Sequence, residues 1–462
     1  MKLNRVMIAA MKSGSGKTIF TCGLLNLLKG MKERNSLASF KCGPDYIDPM
    51  FHRRVLEVPG DNLDSFFSEP KEIRRILYSA GKDNGVIEGV MGLYDGVSPE
   101  GLKGSSYEIA SITKTPIVLI VDYKGLWTTG ISMVKGVLLD DEERLIKGIV
   151  LNRIGRSYSD KVEKALEEML ANCRPDVKLL GSIPENKDIK LDSRHLGLLL
   201  PEEVVDLKSQ IDSFSKMIEE NLHMGMLFEI MDGAPKWEED FAFQEENQEK
   251  VNETLRLAVA RDEACCFYYP ENIRVLEEQG IEIVEFSPLR DKTLPHNIHG
   301  LLLGGGYPEL YVKELSYNAS MRESIRDAVK AGLPSLAECG GFMYLGDTIT
   351  DANGKDYPMV GAYKGESQNQ GKLIRFGYLT LEPKATGLLK DGTTIKGHEF
   401  HYYDSDNNGS DCMATKAKGG ASWECMHMSD NHLWGYPHLY YRSDMNLVKA
   451  FKEAMMEYKK NG

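Results

Sequence analysis

Two stretches of the chain bring together residue types that do chemistry at short range. Lys12-Ser13-Gly14-Ser15-Gly16-Lys17-Thr18 has the make-up of a phosphate loop: glycines let successive backbone N–H groups turn inward around phosphate oxygens, and a helix amino terminus adds partial positive charge. Lys17 would neutralise the terminal phosphates and Thr18 would offer its hydroxyl to magnesium. A glycine-rich turn with no ligand is the competing reading, and the strand before it and the helix after it weigh against that. Ser335-Leu336-Ala337-Glu338-Cys339-Gly340-Gly341-Phe342 reads as a strand, a sharp turn and a helix. Small residues after Cys339 permit an elbow that exposes a thiol at a helix amino terminus, whose dipole favours the thiolate. Backbone amides at Gly340 and at Gly305, in Leu303-Gly304-Gly305-Gly306-Tyr307-Pro308, could serve a tetrahedral oxyanion. Ten histidines compete as general base. His438 follows a strand-like stretch, and His398 and His401 flank Glu399-Phe400. An inert buried cysteine is the commoner fate of a lone Cys; the glycines that follow this one argue for a nucleophile.

Acids cluster in two further places. Lys41-Cys42-Gly43-Pro44-Asp45-Tyr46-Ile47-Asp48-Pro49 carries two carboxylates in a stretch where two prolines should prevent a regular helix. Glu88 and Asp95, in Glu88-Gly89-Val90-Met91-Gly92-Leu93-Tyr94-Asp95-Gly96, close a buried strand, where α/β ligand sites form. Taken alone, each acid reads as a cap or turn residue. Beside a phosphate loop they are the hard oxygen donors that magnesium bridging ATP and an acceptor would need.

The elements that must hold these residues follow from periodicity. Val6 to Ala10 reads as a short strand and Lys17 to Leu28 as a helix; Val86 to Val90, Pro116 to Asp122, Gly148 to Asn152 and Lys178 to Ile183 read as strands between helical stretches. That alternation predicts a mostly parallel sheet covered by helices. From Trp237 to Glu253 the chain turns acidic and Gln/Asn-rich, as a solvated connector would. A second α/β pattern then starts at Leu255 to Ala260, continues through a helix across Arg274 to Glu278, and adds strands at Ile281 to Phe286 and His299 to Leu303. Val360 to Arg375, rich in Lys, Gln and Gly, reads as a mobile loop near the thiol.

With 462 residues, 42% hydrophobic and 27% charged, the chain can bury sizeable cores. Its 56 basic and 69 acidic residues leave a net charge of −13, which disfavours nucleic acid as a partner. No apolar run approaches the length of a membrane span, and nothing resembles a secretory signal. The eight cysteines lack paired zinc-ligand spacing, so a reduced, cytoplasmic enzyme is expected.

The motifs SGSGKT, KCGPDYIDPMFH, DNLDSFF, VIEGVMGLYDG, SRHLGL at Ser193 to Leu198, ECGGFMYLG, and GHEFHYYD at Gly397 to Asp404 together resemble the cobyrinate a,c-diamide synthase family. The resemblance runs the length of the chain. It implies an α/β, N-terminal P-loop domain with a dethiobiotin-synthetase-like parallel sheet (1–236), a linker (237–253) and a C-terminal class I glutamine amidotransferase domain (254–462). It implies a carbon–nitrogen ligase of cobalamin biosynthesis in which ATP converts a tetrapyrrole carboxylate, on cobyrinate or hydrogenobyrinate, to an acyl phosphate. Ammonia, released from L-glutamine by Cys339 with His438, then displaces the phosphate. Carried over by motif, Lys12, Gly14, Ser15, Gly16, Lys17, Thr18 and Asn152 would hold ATP; Thr18, Asp45 and Glu88 would hold Mg2+; Tyr46, Asp48 and Asp95 would position the acceptor; Gly305 and Gly340 would line the oxyanion site. Class I glutaminases often carry a carboxylate two residues after the histidine, where this chain has Tyr440, so the third triad member is unassigned. The resemblance leaves homodimerisation open and gives neither nucleic acid nor membrane a role.

A nickel-sirohydrochlorin a,c-diamide synthase of the same family is the nearest rival, since both substrates bear acetate side chains. A cobyric acid synthase is disfavoured by GPDYIDP, and a binding protein without activity by the intact thiol and phosphate lysine. K-x-G-x-G-K-T also occurs in deviant-Walker partition ATPases. That reading wants a basic or amphipathic tail, whereas Met445 to Gly462 mixes both charges with no such face evident.

Overall fold

Seven parallel strands of four to nine residues, the central ones apolar and buried, make the sheet of the first of two compact units, Met1–Phe243. They are β1 (Asn4–Ala10), β2 (Leu37–Cys42), β3 (Gly60–Leu63), β4 (Asn84–Glu88), β5 (Ile117–Asp122), β6 (Ile146–Ile154) and β7 (Lys178–Pro184), in the spatial order β3-β2-β4-β1-β5-β6-β7. The computed structural model describes residues 3–186, 207–237 and 254–461; the SRHLGL stretch lies outside them. Period-two alternation divides β1 between two cores: Met7 and Ala9 join one with Phe40, Leu119 and Ile149, while Val6, Ile8 and Ala10 join the other with Phe20, Leu24 and Phe214. The sheet fans out from β1 in both directions, so the carboxyl ends of β4, β1 and β5 frame the crevice where such sheets bind ligands.

Arg5, on the central strand, is buried with its guanidinium donating to Thr115 Oγ1 (3.2 Å) and to the carbonyls of Leu3 (3.1 Å), Thr113 (2.8 Å) and Pro235 (2.9 Å). It also stacks 4.2 Å from the Trp237 ring. Burial lowers its pKa to about 10. Replacing it strands several buried acceptors at once, so Arg5→Met is expected to cost about 3 kcal/mol or more of stability, read as a drop in the urea midpoint of unfolding. A cost below about 1 kcal/mol would show those carbonyls to be hydrated instead.

The second unit, Gln244–Gly462, opens with β8 (Leu255–Ala260), β9 (Ile281–Phe286), β10 (Gly300–Leu303) and β11 (Ser335–Glu338). Three short strands, β12 (Thr348–Thr350), β13 (Asp356–Pro358) and β14 (Glu366–Asn369), precede β15 (Arg375–Pro383), β16 (Ile395–His401), β17 (Tyr403–Ser405), β18 (Cys412–Lys416), β19 (Ser422–Cys425), β20 (His427–Met428), β21 (His432–Gly435) and β22 (His438–Leu439). The central sheet runs β20-β21-β11-β10-β8-β9, parallel except for β20. An antiparallel sheet, β19-β18-β15-β16-β22, and a small one, β13-β12-β14-β17, complete the unit.

Three expectations are corrected. Pro49 lies inside a helix, Ile47–Arg54, because it occupies the first turn, where a missing N–H costs no intrahelical bond. Residues 360–375 are not simply a loop: Glu366–Asn369 forms β14, paired with β12 and β17. The carboxyl-terminal segment is an amphipathic helix, Asn446–Asn461, whose Leu447, Val448, Phe451 and Met455 are buried in the core. Among the described residues no helix is long and apolar enough to cross a membrane.

Candidate functional site

In the first unit the residues of interest lie at the carboxyl ends of strands or on the turns and helices that follow them. The turn after β1 carries left-handed glycines at Gly14 (φ 71°) and Gly16 (φ 90°), and Gly16 caps the helix Lys17–Gly30. Asn152, at the end of β6, donates to the Ser15 carbonyl at 2.9 Å. A Cβ on Gly16 would lie 2.5 Å from that amide, so both residues fix the course of the turn. Lys17 Nζ is held on the carbonyls of Met91 (2.5 Å) and Lys12 (3.3 Å). Burial, then the nearby Lys41 charge, lower its pKa to about 8. Lys12 is exposed and reaches Asp122 at 3.3 Å, and Arg153 binds the same carboxylate at 2.6 Å while donating to the Gly14 carbonyl at 2.8 Å.

The acids form a second layer behind the turn. Parallel pairing sets Lys41 beside Glu88 and Glu88 beside Ile8. Glu88 Oε1 accepts from Thr18 Oγ1 (2.6 Å) and from Lys41 Nζ (2.8 Å), and Lys41 also meets Asp48 Oδ2 at 2.5 Å. Burial works against the Lys41 ammonium, but Asp48 and Glu88 outweigh it and raise its pKa. Burial and then the Asp48 charge push Glu88 up; Asp48 is held down by Lys41 in spite of burial. Asp45 is raised by burial and by Asp48, and accepts from the Ile47 amide at 2.8 Å. His52, fully buried, turns Nδ1 to Ser39 Oγ (3.1 Å) and Nε2 toward Glu88 Oε2 (3.7 Å); burial lowers its pKa to about 4. Asp95 accepts from the Gly92 amide at 2.8 Å. Of the proposed magnesium ligands, Thr18 and Glu88 touch directly, and Asp48 shares Lys41 with Glu88 while Asp45 stands one step farther out.

These donors fit a divalent cation. They are hard oxygens, and the buried Glu88 Oε2 has no hydrogen-bond partner. No trio of His, Cys, Asp or Glu is poised for a metal among the described residues, so phosphate oxygens and water would complete the shell, as magnesium prefers.

In the second unit Cys339 follows β11 with φ 47° and ψ −106°, a strained conformation that aims a side chain out of a strand-to-helix turn. Its amide donates to the Gly435 carbonyl at 2.8 Å, which ties the end of β11 to the end of β21. Three residues on, His438 begins β22 and is clamped by its ladder partner His398. Of the two, His398 is held neutral, its pKa lowered to about 3 by burial and then by His438. His401 stacks on Tyr436 at 4.1 Å and bonds the Tyr403 carbonyl at 2.6 Å. Burial opposes a charge on His438, yet Cys339 and then Glu338 raise its pKa to about 10. A Cβ on Gly305 would sit 2.3 Å from His438 Cε1, and one on Gly340 would sit 3.0 Å from the Gly306 amide nitrogen. The glycine loop after β10 thus lies against both His438 and the elbow.

Gly305→Ala must displace the imidazole, because the ring is wedged in a β ladder. The glutamine hydrolysis that the family resemblance implies is expected to fall about 10²-fold, the usual cost of a misplacement near 1 Å. A steady-state assay of glutamate release checks this; wild-type rates would mean the ring yields freely.

Sequence reading missed Lys41, His52, Asp122 and Glu338. Two of them carried a signal: Lys41 is the penultimate residue of the fully buried strand LASFKC, and Glu338 ends the fully buried strand SLAE, positions that tolerate a charge only with a partner.

The sequence matches two family models, the CobQ/CobB/MinD/ParA nucleotide binding domain over residues 6–199 and the CobB/CobQ-like glutamine amidotransferase domain over residues 256–445. A cobyrinate a,c-diamide synthase of Clostridium tetani is 38% identical over 460 residues, 98% of this chain and 100% of the relative. One from Listeria innocua is 36% identical across 97% of this chain and 99% of its own. One from Caldanaerobacter subterraneus is 35% identical over 98% of both.

Proposed function

Because the chain belongs to the family of cobyrinate a,c-diamide synthases, we propose that it amidates the a and c acetate carboxylates of cobyrinate or hydrogenobyrinate with ammonia drawn from glutamine. The observation that carries this reading is the pairing, in one chain, of Cys339 against His438 with a phosphate loop whose Thr18 bonds Glu88.

In the glutaminase half, Cys339 Sγ attacks the side-chain amide carbon of glutamine while His438 holds the proton. The Gly305 and Gly340 amides face the developing oxyanion. Collapse breaks the C–N bond, the imidazolium gives its proton to the departing ammonia, and water then hydrolyses the thioester to glutamate.

In the ligase half, Gly14, Ser15 and Gly16 wrap the phosphates of ATP, with Lys12 and Lys17 supplying positive charge and Asn152 fixing the turn. Thr18, Glu88 and Asp45, with Asp48 alongside, would hold Mg2+, which supplies charge neutralisation between nucleotide and acceptor. Tyr46, Asp48 and Asp95 position the acetate so that its oxygen takes the γ-phosphoryl group and ADP leaves. Ammonia then attacks the acyl carbon, the bond to phosphate breaks, and the amide forms. A carboxylate needs this activation because phosphate is a far better leaving group than oxide or hydroxide. The same reading keeps the protein in the cytoplasm, with neither nucleic acid nor membrane as partner.

Incubating the full chain with ATP, magnesium and glutamine, and either cobyrinate or nickel sirohydrochlorin, tests it by product mass. Two successive exchanges of hydroxyl for amine on cobyrinate are expected. No exchange on either compound sinks the reading, and exchange on the nickel compound alone moves the substrate. The relatives named for cobyrinate favour the first.

A further inference from the structure

The histidine of this glutaminase half lacks the carboxylate two positions on, since that place is Tyr440. We propose that Glu338, the residue immediately before the nucleophile, is the positioning carboxylate of the triad, and that Tyr441 holds it in place. Glu338 Oε2 lies 3.8 Å from His438 Nδ1, and its other oxygen accepts from the Tyr441 hydroxyl at 3.2 Å. Glu338 is 7% exposed and Tyr441 2%, so the contact sits out of bulk water, where a fixed negative charge acts strongly. The proposal rests on the assignment of Cys339 and His438 given above.

The geometry follows from the chain. β11 and β21 run parallel with Glu338 opposite Gly435, and Cys339 is bonded to the Gly435 carbonyl. The turn after β21 therefore returns His438 past the last residue of β11 rather than past its own successor. Tyr440 points elsewhere, packing edge-on against Tyr269 at 5.7 Å. With Nδ1 facing Glu338, the remaining ring nitrogen is the one left for the thiol. Through the acylation step Glu338 takes no proton: it orients the ring and stabilises the imidazolium that forms, the role of the third member in any such triad. The groups facing His438 are Cys339 and Glu338 from the elbow and His398 from β16, and Tyr441 faces Glu338. His398, held neutral by burial, contributes no opposing charge of its own.

The test uses the full chain and two readouts. Glutamine hydrolysis gives kcat and KM. The pH profile of Cys339 alkylation by iodoacetamide, followed on the digested peptide with the exposed Cys173 as internal reference, reports the thiolate–imidazolium pair. Glu338→Gln keeps the size and the acceptor for Tyr441 but removes the charge and the acceptor facing His438 Nδ1. It is expected to lower kcat about 10²-fold with KM within about twofold, and to move the alkaline limb of the profile down by about one pH unit. Glu338→Asp should recover part of both. Tyr441→Phe should shift the limb the same way by less. A Glu338→Gln protein that melts like wild type with kcat and profile unchanged overturns the proposal. If wild-type Cys339 is not labelled by a diazoketone analogue of glutamine, the assignment beneath it fails instead.

Discussion

Cys339→Ala is expected to reduce glutamine-dependent amidation by at least about 10⁴-fold, while concentrated ammonium salts still support product formation. The thiol is the group that would form a bond to the glutamine carbon, so nothing replaces it; the imidazole and the amide-lined loop have nothing to assist. Acyl phosphate chemistry would use the residues proposed for the other half, Lys17, Thr18 and Glu88 among them, none of which the substitution touches. The alanine should also keep the backbone: Cys339 already adopts φ 47°, and the Gly435 carbonyl bond is made by its amide rather than its side chain. The measurement is product formation with glutamine and with ammonium chloride at alkaline pH, where free ammonia is abundant. Equal loss on both donors would mean that Cys339 serves the fold or the ligase half.

Lys17→Ala is expected to remove both routes, by about 10³-fold or more. Its ammonium is set at the amino end of the helix that the phosphate turn feeds, and it is held by carbonyls of Met91 and Lys12 rather than by a carboxylate. Phosphate oxygens would therefore give it a counter-charge in direct contact, where Glu88, Asp48 and Asp95 now act only from nearby. The neighbouring Lys12 cannot substitute, being exposed and engaged with Asp122. Glutamate release should persist in this variant, which separates loss of phosphoryl transfer from global misfolding. Survival of amidation with either nitrogen source would count against the phosphate-loop assignment.

Sequence periodicity made the sheet skeleton legible wherever apolar residues ran uninterrupted: Leu255–Ala260 and Ile281–Phe286 are strands with the expected bounds, and the phosphate turn falls between β1 and its helix. It was silent on β2 and β3, because Lys41, Asp61 and Asn62 break the apolar run while their partners lie far away in the chain; Lys41 becomes acceptable in a buried strand only beside Asp48 and Glu88. Spacing also invited the usual search downstream of His438 for a carboxylate. The one in contact lies a hundred residues upstream, brought near by strand pairing that no linear motif encodes. Residues 360–375 misled for a related reason: polar sequence at the edge of a small sheet looks like loop until its pairing partners are known.

Arg5 carries a timetable for biosynthesis. The strand it belongs to precedes its neighbours β4 and β5 in the chain. Its guanidinium nevertheless gains the Pro235 carbonyl and the Trp237 ring only when nearly the whole first unit has been made. Until then the guanidinium lacks those two partners and is open to water on that side. A chain ending before Pro235 is therefore expected to show a looser nucleotide fold than one reaching past Trp237, read by limited proteolysis of the two.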